Sequence, residues 1–380
     1  PVGPTCTVTG SWIASQRSLS GDHLPQPWFS RIDVSVPPER APGQLAYPEP
    51  GGDPDRQFLV TSGGRLADGA AFRRAIEQDL ARRAPGERDI MLFVHGYNYS
   101  FAEGVYRTAQ LAHDLQLPGI HAHFSWPSRM KPYAYSGDRD GALYSRDGLV
   151  QTVELLVQAR GRGRIVLMAH SMGAQVLMEA LRQMALSGRR DLLGGIDGVV
   201  LMSPDLDLRL FRSQVRAIGP LPRPFVIMTS PRDRALQLSA LISDEPLRLG
   251  NIPDARPVAD LDVIVVDTGA FNTGYGHFNM ADSPALQRIL TRMRDLDRIL
   301  PDLALEGGAV MRCDTARALG FWARDFLRPA GAVLPGAPRV TGLRLGSTYD
   351  CRPRVGTGAA KLHRQHRVKQ QHPLPRPMFE

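Results

Sequence analysis

The chain has 380 residues, 43% of them hydrophobic, and a formal net charge of +8. That length supports one large core or a core with appendages, and the absence of any run of about eighteen apolar residues argues against a membrane-spanning helix. Only Lys131, Lys361 and Lys369 are lysines, and except at the C-terminal end the arginines are scattered among aspartates rather than gathered on one element, so the charge does not describe a nucleic-acid face.

Cys6, Cys313 and Cys351 show neither CxxC nor Cys/His zinc spacing, so no metal site is expected. A Cys313–Cys351 pair would need an oxidising compartment, which tilts the expected location toward the cell envelope or periplasm. A chain that starts at Pro1 is expected to be processed, trimmed or a fragment, with any signal peptide out of view. The "PVGPT" before Cys6 does not resemble the small-residue box of a lipid-attachment site.

Residues 1–88 are rich in Pro, Gly and Arg, and only "TVTGSWIA", "RIDVSV" and "QFLV" read as short strands. This part is expected to be a strand-and-loop region packed on the core. "DGAAFRRAIEQDLARRA" has helical spacing. From residue 89 the chain becomes regular. "DIMLFVHG" is a strand, and the following helix has a capping box at Ser100 and Glu103. "GIHAHFSW" is a strand stopped by Pro127, and "SRDGLVQTVELLVQARG" is a helix with Gly161 just past its end. "RIVLMAH", "IDGVVLMS", "RPFVIMTS" and "LDVIVVD" are strands, the last being the final clear one. "MGAQVLMEALRQMALSG" and "SPALQRILTRMRDLDRIL" are helices. Strands that are apolar throughout and alternate with helices predict an α/β core over 89–300, with a parallel sheet covered on both faces. Residues 301–380 form a C-terminal extension in which "CDTARALGFWARDFL" reads as a helix. Its polar, basic end, "KLHRQHRVKQQHPLPRPMFE", is expected to be disordered.

In "RIVLMAHSMGAQVLMEAL" a buried strand meets a helix at Ser171. Ala169 and Gly173 are small where a tight strand–serine–helix turn needs them, so "AHSMG" reads as a nucleophile elbow with Ala in place of the first Gly. The bland alternative is a serine that caps the helix. A nucleophilic serine needs a base and an orienting acid, in the order Ser, Asp or Glu, His. His277 in "GYGHFN" is the one histidine downstream within the sheet region, so it is the expected base. Asp233, directly after "FVIMTSPR", is the favoured acid; Asp205 after "VVLMSP" is the alternative, and Asp267 a third candidate. An oxyanion hole needs two N–H donors. Met172 would supply one and Tyr97, in "FVHGYN", the other, with Asn98 as a substitute and Gly96 allowing close approach. His95 and His170 are expected to brace these turns rather than do chemistry.

Other features carry less. His121 and His123 share a strand face but lack a third ligand. "ARGRGRI" reads as a solvated loop. Arg209, Arg212 and Arg216 share one face of a helix that could guard the pocket, but a solvent-facing stripe is the simpler reading.

Together "FVHGYNYSF", "FSWPSR", "AHSMGAQVL", "SPDLD", "SPRDRAL" and "GHFN" resemble the α/β-hydrolase superfamily, and within it a bacterial group of esterase- or lipase-like proteins. The resemblance covers about residues 89–295, and "RIDVSVPPERAPGQLAYPEP" is similar to the group's N-terminal region. It implies an α/β-hydrolase fold, a mostly parallel central sheet with helices on both faces. It also implies a Ser171–His277–Asp233 triad, an oxyanion hole at Tyr97 and Met172, and no metal or organic cofactor. The expected activity is a serine hydrolase that cleaves a carboxylic ester through an acyl-enzyme. Its substrate would be a small-molecule or lipid-like ester, with no nucleic-acid partner and at most peripheral membrane contact. A thioesterase, peptidase or acyltransferase on the same triad, or a non-catalytic hydrolase-fold scaffold, are the alternatives.

Overall fold

The computed structural model describes residues 7–17, 22–131, 134–243 and 247–269, with His277, Ser283 and the main chain of 309–312. The turn-rich N-terminal region forms β1 (Thr7–Arg17), β2 (His23–Val36) and β3 (Leu59–Leu66), each longer than its apolar stretch. Their antiparallel pairing supplies main-chain bonds well beyond the residues that face the core. Helix α1 (Gly69–Ala81) starts where the Asp68 side chain accepts from the Ala71 N–H. β4 (Ile90–Val94) follows, then α2 (Phe101–Asp114), whose Ser100/Glu103 capping box is formed.

Next come β5 (Ile120–Ser125), α3 (Tyr135–Tyr144), α4 (Arg146–Val157) and β6 (Ile165–His170). They are followed by α5 (Gly173–Leu186), α6 (Arg190–Gly194), β7 (Gly198–Met202) and α7 (Leu208–Ile218). β8 (Phe225–Thr229), α8 (Arg234–Ile242) and β9 (Ile264–Asp267) complete the regular part, and β10 (Ala309–Arg312) pairs parallel with β9. The sequence predicts β9 as the last strand, and the structure adds β10. "AVMR" is too short to show a period, and only its pairing makes it a strand.

The strands form one sheet in the order β10-β9-β8-β7-β6-β4-β5-β1-β2-β3. It is an α/β-hydrolase fold: among the described residues it is parallel from β10 through β1 and antiparallel only at β1–β2–β3. Period-two alternation places Ile90, Leu92 and Val94 in the larger core beneath α1, α4 and α5, and Met91 and Phe93 in a second core beneath α2. Covering both faces explains why β4 is apolar at every position. The parallel direction also brings the loops that follow β4, β6, β7, β8 and β9 to one edge of the sheet, and the candidate site lies there. No helix among the described residues is long and apolar enough to cross a membrane. The helices expected at 283–300 and 313–327, the C-terminal tail and the three cysteines lie outside the described residues.

Candidate active site

β6 ends at His170 and α5 begins at Gly173, so two residues make the turn. Ser171 sits at φ 52, the left-handed region that side-chain-bearing residues enter at a cost. Main-chain bonds hold it there. Its N–H donates to Met202 O at 3.0 Å, and its carbonyl accepts from Ala174 N at 3.0 Å and Asp205 N at 3.1 Å. The crowding is real. A Cβ on Gly173 would collide with the His95 carbonyl and stand 2.7 Å from Val94 O, and one on Gly96 would stand 2.9 Å from Ser171 Cβ. Helix α5 has no side-chain cap, so capping does not account for Ser171.

The turn after β4 faces this elbow and is bolted to the segment after β5. Trp126 Nε1 donates to His95 O at 2.7 Å, and Asn98 N donates to Ser128 Oγ at 2.9 Å. The Ser128 hydroxyl donates in turn to Asp138 Oδ2 at 2.6 Å, and the Tyr97 hydroxyl donates to Lys131 O at 2.7 Å. Asn98 thereby spends its N–H, which leaves Tyr97 as the candidate donor in this turn. His95 stacks on Trp126, ring centroids 5.1 Å apart. Its Nδ1 and Nε2 lie 2.8 Å from Gly96 O and 3.0 Å from Trp126 O. Burial lowers its pKa to about 4, so the neutral ring has one N–H to donate to one of them.

After β8, Asp233 is fully buried and makes two bonds. Oδ1 accepts from Leu236 N at 3.0 Å and so caps α8, and Oδ2 lies 2.8 Å from His277 Nδ1. With Nδ1 turned to the carboxylate, Nε2 is the nitrogen left for other work. His170 packs against His277 with ring centroids 4.8 Å apart, and its Nε2 lies 3.3 Å from the His277 carbonyl. Burial first, then the neighbouring His277, hold His170 well below the usual histidine range. A neutral His170 can donate Nε2–H to that carbonyl. The elbow, the β4 turn and the Asp233–His277 pair thus share one edge of the sheet.

The sequence model of one family, "Alpha/beta hydrolase of unknown function (DUF900)", matches residues 69–294. This chain belongs to that family. Its members are hydrolases by fold and description, and the elbow, the β4 turn and Asp233–His277 all fall inside the matched region. Among curated proteins none matches the sequence. Among solved structures the chain is similar to a CIB-like hydrolase from Thermoplasma acidophilum, with 14% identity, 76% of this chain and 99% of that one covered, and TM-score 0.35. It is also similar to a hydrolase from Agrobacterium vitis S4, with 14% identity, 77% and 99% covered, and TM-score 0.32. An esterase from Pyrobaculum calidifontis shares 13% identity over 77% and 86%, with TM-score 0.32.

The other sequence candidates in this hydrolase are committed to other partners. Asp205 is bound into a buried cluster: it accepts from Tyr135 Oη at 2.8 Å and Ser239 Oγ at 2.6 Å, and lies 3.3 Å from Arg248 Nε. A carboxylate so committed, to a guanidinium as buried as itself, is spoken for. Asp267 Oδ1 accepts from Gly269 N at 2.8 Å, the turn role expected of a loop aspartate. Arg212 pairs with Asp260 at 2.6 Å, and Arg209 lies 3.5 Å from Asp207, so these two belong to a paired, solvent-facing surface. His121 Nε2 and His123 Nδ1 face the Leu117 and Phe93 carbonyls, at 2.9 Å and 3.2 Å. Among the described residues no group of three His, Cys, Asp or Glu could hold a metal ion. Trp126, Ser128, Asp138 and Tyr135 were missed by the sequence reading. "FSWPSR" holds Trp126 and Ser128 but reaches neither Tyr135 nor Asp138, and "YSGDRDGALY" has no apolar period to predict α3.

Proposed function

We propose that this hydrolase cleaves carboxylic esters through Ser171, His277 and Asp233. The observation that carries the reading is Ser171 held at φ 52 between a buried strand and an uncapped helix, a strain that helix capping does not require. The Asp233–His277 bond of 2.8 Å supports it.

His277 Nδ1–H donates to Asp233 Oδ2, which fixes the tautomer and leaves Nε2 to accept the Ser171 proton as Oγ attacks the ester carbonyl. The charge that develops on the carbonyl oxygen is met by the N–H groups of Met172 and Tyr97. Met172 opens α5, where free N–H groups and the helix dipole favour negative charge. His277 then gives its proton to the departing alkoxide, which leaves as an alcohol. Water, deprotonated by the same imidazole, attacks the acyl-Ser171 ester; His277 returns that proton to Ser171 Oγ as the ester bond breaks, and the acid is released. Asp233 keeps its charge throughout and stabilises the imidazolium. His170 positions His277 by its bond to the main chain.

The test is turnover of p-nitrophenyl acetate, butyrate and palmitate by wild type, Ser171→Ala and His277→Ala. Wild type should hydrolyse at least one ester and both variants none above background. A folded wild type inert toward every ester, and toward thioester and amide analogues, would return the fold to a non-catalytic binding role.

A further inference from the structure

Helix α8 has an outward face with no counterpart elsewhere among the described residues. Leu238, Leu241 and Ile242 are 57%, 78% and 58% exposed, and they lie on one stripe of a helix of nine residues. The other exposed large apolar side chains, such as Tyr47 in the β2–β3 connection, Val60 of β3 and Leu186 of α5, are not on this helix. The inner face of α8, with Leu236, Ser239 and Ala240, is buried.

Two ties index this helix to the candidate site. Asp233 caps its first turn and holds His277. Ser239 lies 2.7 Å from the Tyr135 hydroxyl, and Tyr135 packs edge-on against Tyr97 of the β4 turn, ring centroids 5.5 Å apart. Whatever covers the outer stripe therefore sits on the helix that Asp233 caps.

We propose that this stripe docks the hydrolase on a lipid–water interface, which makes esters dissolved in that interface its substrate class. Three aliphatic side chains present a few hundred Å² at most, against the ~800 Å² per partner of a stable protein interface, whereas a patch of that size suffices for shallow insertion among acyl chains. Arg232 and Arg234 precede the stripe and are exposed, and in the sequence Asp244 and Glu245 follow it, so the local sequence carries no net charge and apolarity rather than headgroup charge does the selecting. The substrate class rests on the ester-hydrolase reading above, but docking does not.

The experiment is sedimentation of the full chain with sucrose-loaded POPC vesicles, and with the same vesicles carrying a quarter POPG. Wild type and Ser171→Ala should bind alike, and POPG should change the partition by less than about threefold. A Leu238→Ser/Leu241→Ser/Ile242→Ser variant should bind roughly tenfold less. Its turnover of a soluble short-chain ester should equal that of wild type, which also shows that it folds. No sedimentation of wild type, equal sedimentation of the triple variant, or binding only with POPG would overturn the proposal. A concentration-dependent dimer that the triple variant abolishes, without vesicle binding, would assign the stripe to a second copy instead. Vesicle binding with no ester turnover by any form would uphold docking while sinking the ester-hydrolase reading.

Discussion

After β7 the chain runs Ser203-Pro204-Asp205, and after β8 it runs Ser230-Pro231-Arg232-Asp233. Both prolines end a parallel strand at the same edge of the sheet, and both aspartates are buried. One inserted residue and different neighbours separate their fates. Asp205 meets Arg248, a cation that cannot give up its proton, together with the hydroxyls of Tyr135 and Ser239. Asp233 meets His277, whose proton can move, and the N–H of Leu236. A buried carboxylate beside arginine is locked into structure, whereas one beside histidine can fix the tautomer and orientation of a base. Burial and loop position alone do not tell the two apart; the partner does.

Exchanging each carboxylate for an amide should pull the two loops apart in opposite ways. Asp233→Asn should lower kcat on the order of 10⁴-fold, with little change in Tm, because the amide favours the wrong imidazole tautomer. A loss below about tenfold would erase the distinction between the loops. Asp205→Asn should do the reverse. It leaves the Arg248 charge buried and unpaired, at a cost of roughly 3–5 kcal/mol in denaturant unfolding, while kcat per folded molecule stays within about threefold. An unchanged unfolding midpoint would mean the Asp205–Arg248 pair is not closed in solution.

A smaller effect should come from the brace behind the β4 turn. Ser128→Ala removes the acceptor for Asn98 N and the donor to Asp138, so the β4 turn loosens. Turnover should fall about tenfold with KM little changed, since a misplaced oxyanion donor matters in the transition state. The least effect should be seen with pH. Burial depresses the pKa of His95 from 6.5 to about 4, so between those values the unfolded chain binds the proton and the folded one does not. The stability this contributes is complete above about pH 6.5 and is lost as pH falls toward 4. Burial lowers His121, His123 and His170 as well, so the His95 share is read against His95→Gln: from pH 7 to pH 5 wild type should lose on the order of 5 °C more in Tm than the variant, and parallel profiles would argue that the His95 pKa is not depressed in the fold.

Much of this was legible in the sequence because its signals are local. The β4, β6, β7 and β8 runs, the Ser100–Glu103 box and the small residues around Ser171 each declare themselves within a few neighbours. Asp233 could be preferred over Asp205 only by position, since the partners that separate them are remote: Tyr135 lies 70 residues before Asp205, and His277 lies 44 after Asp233. The Trp126–Ser128–Asp138 brace was hidden for the same reason. α8 was overlooked because it is short and exposes leucines where an amphipathic pattern calls for polar residues.

The most direct test of the central claim is intact-mass and peptide-mapping analysis after treatment with a fluorophosphonate. Wild type should gain one phosphonyl group, mapped to Ser171, and Ser171→Ala should gain none. A folded wild type that stays unlabelled, or that is labelled on another serine, would contradict the account.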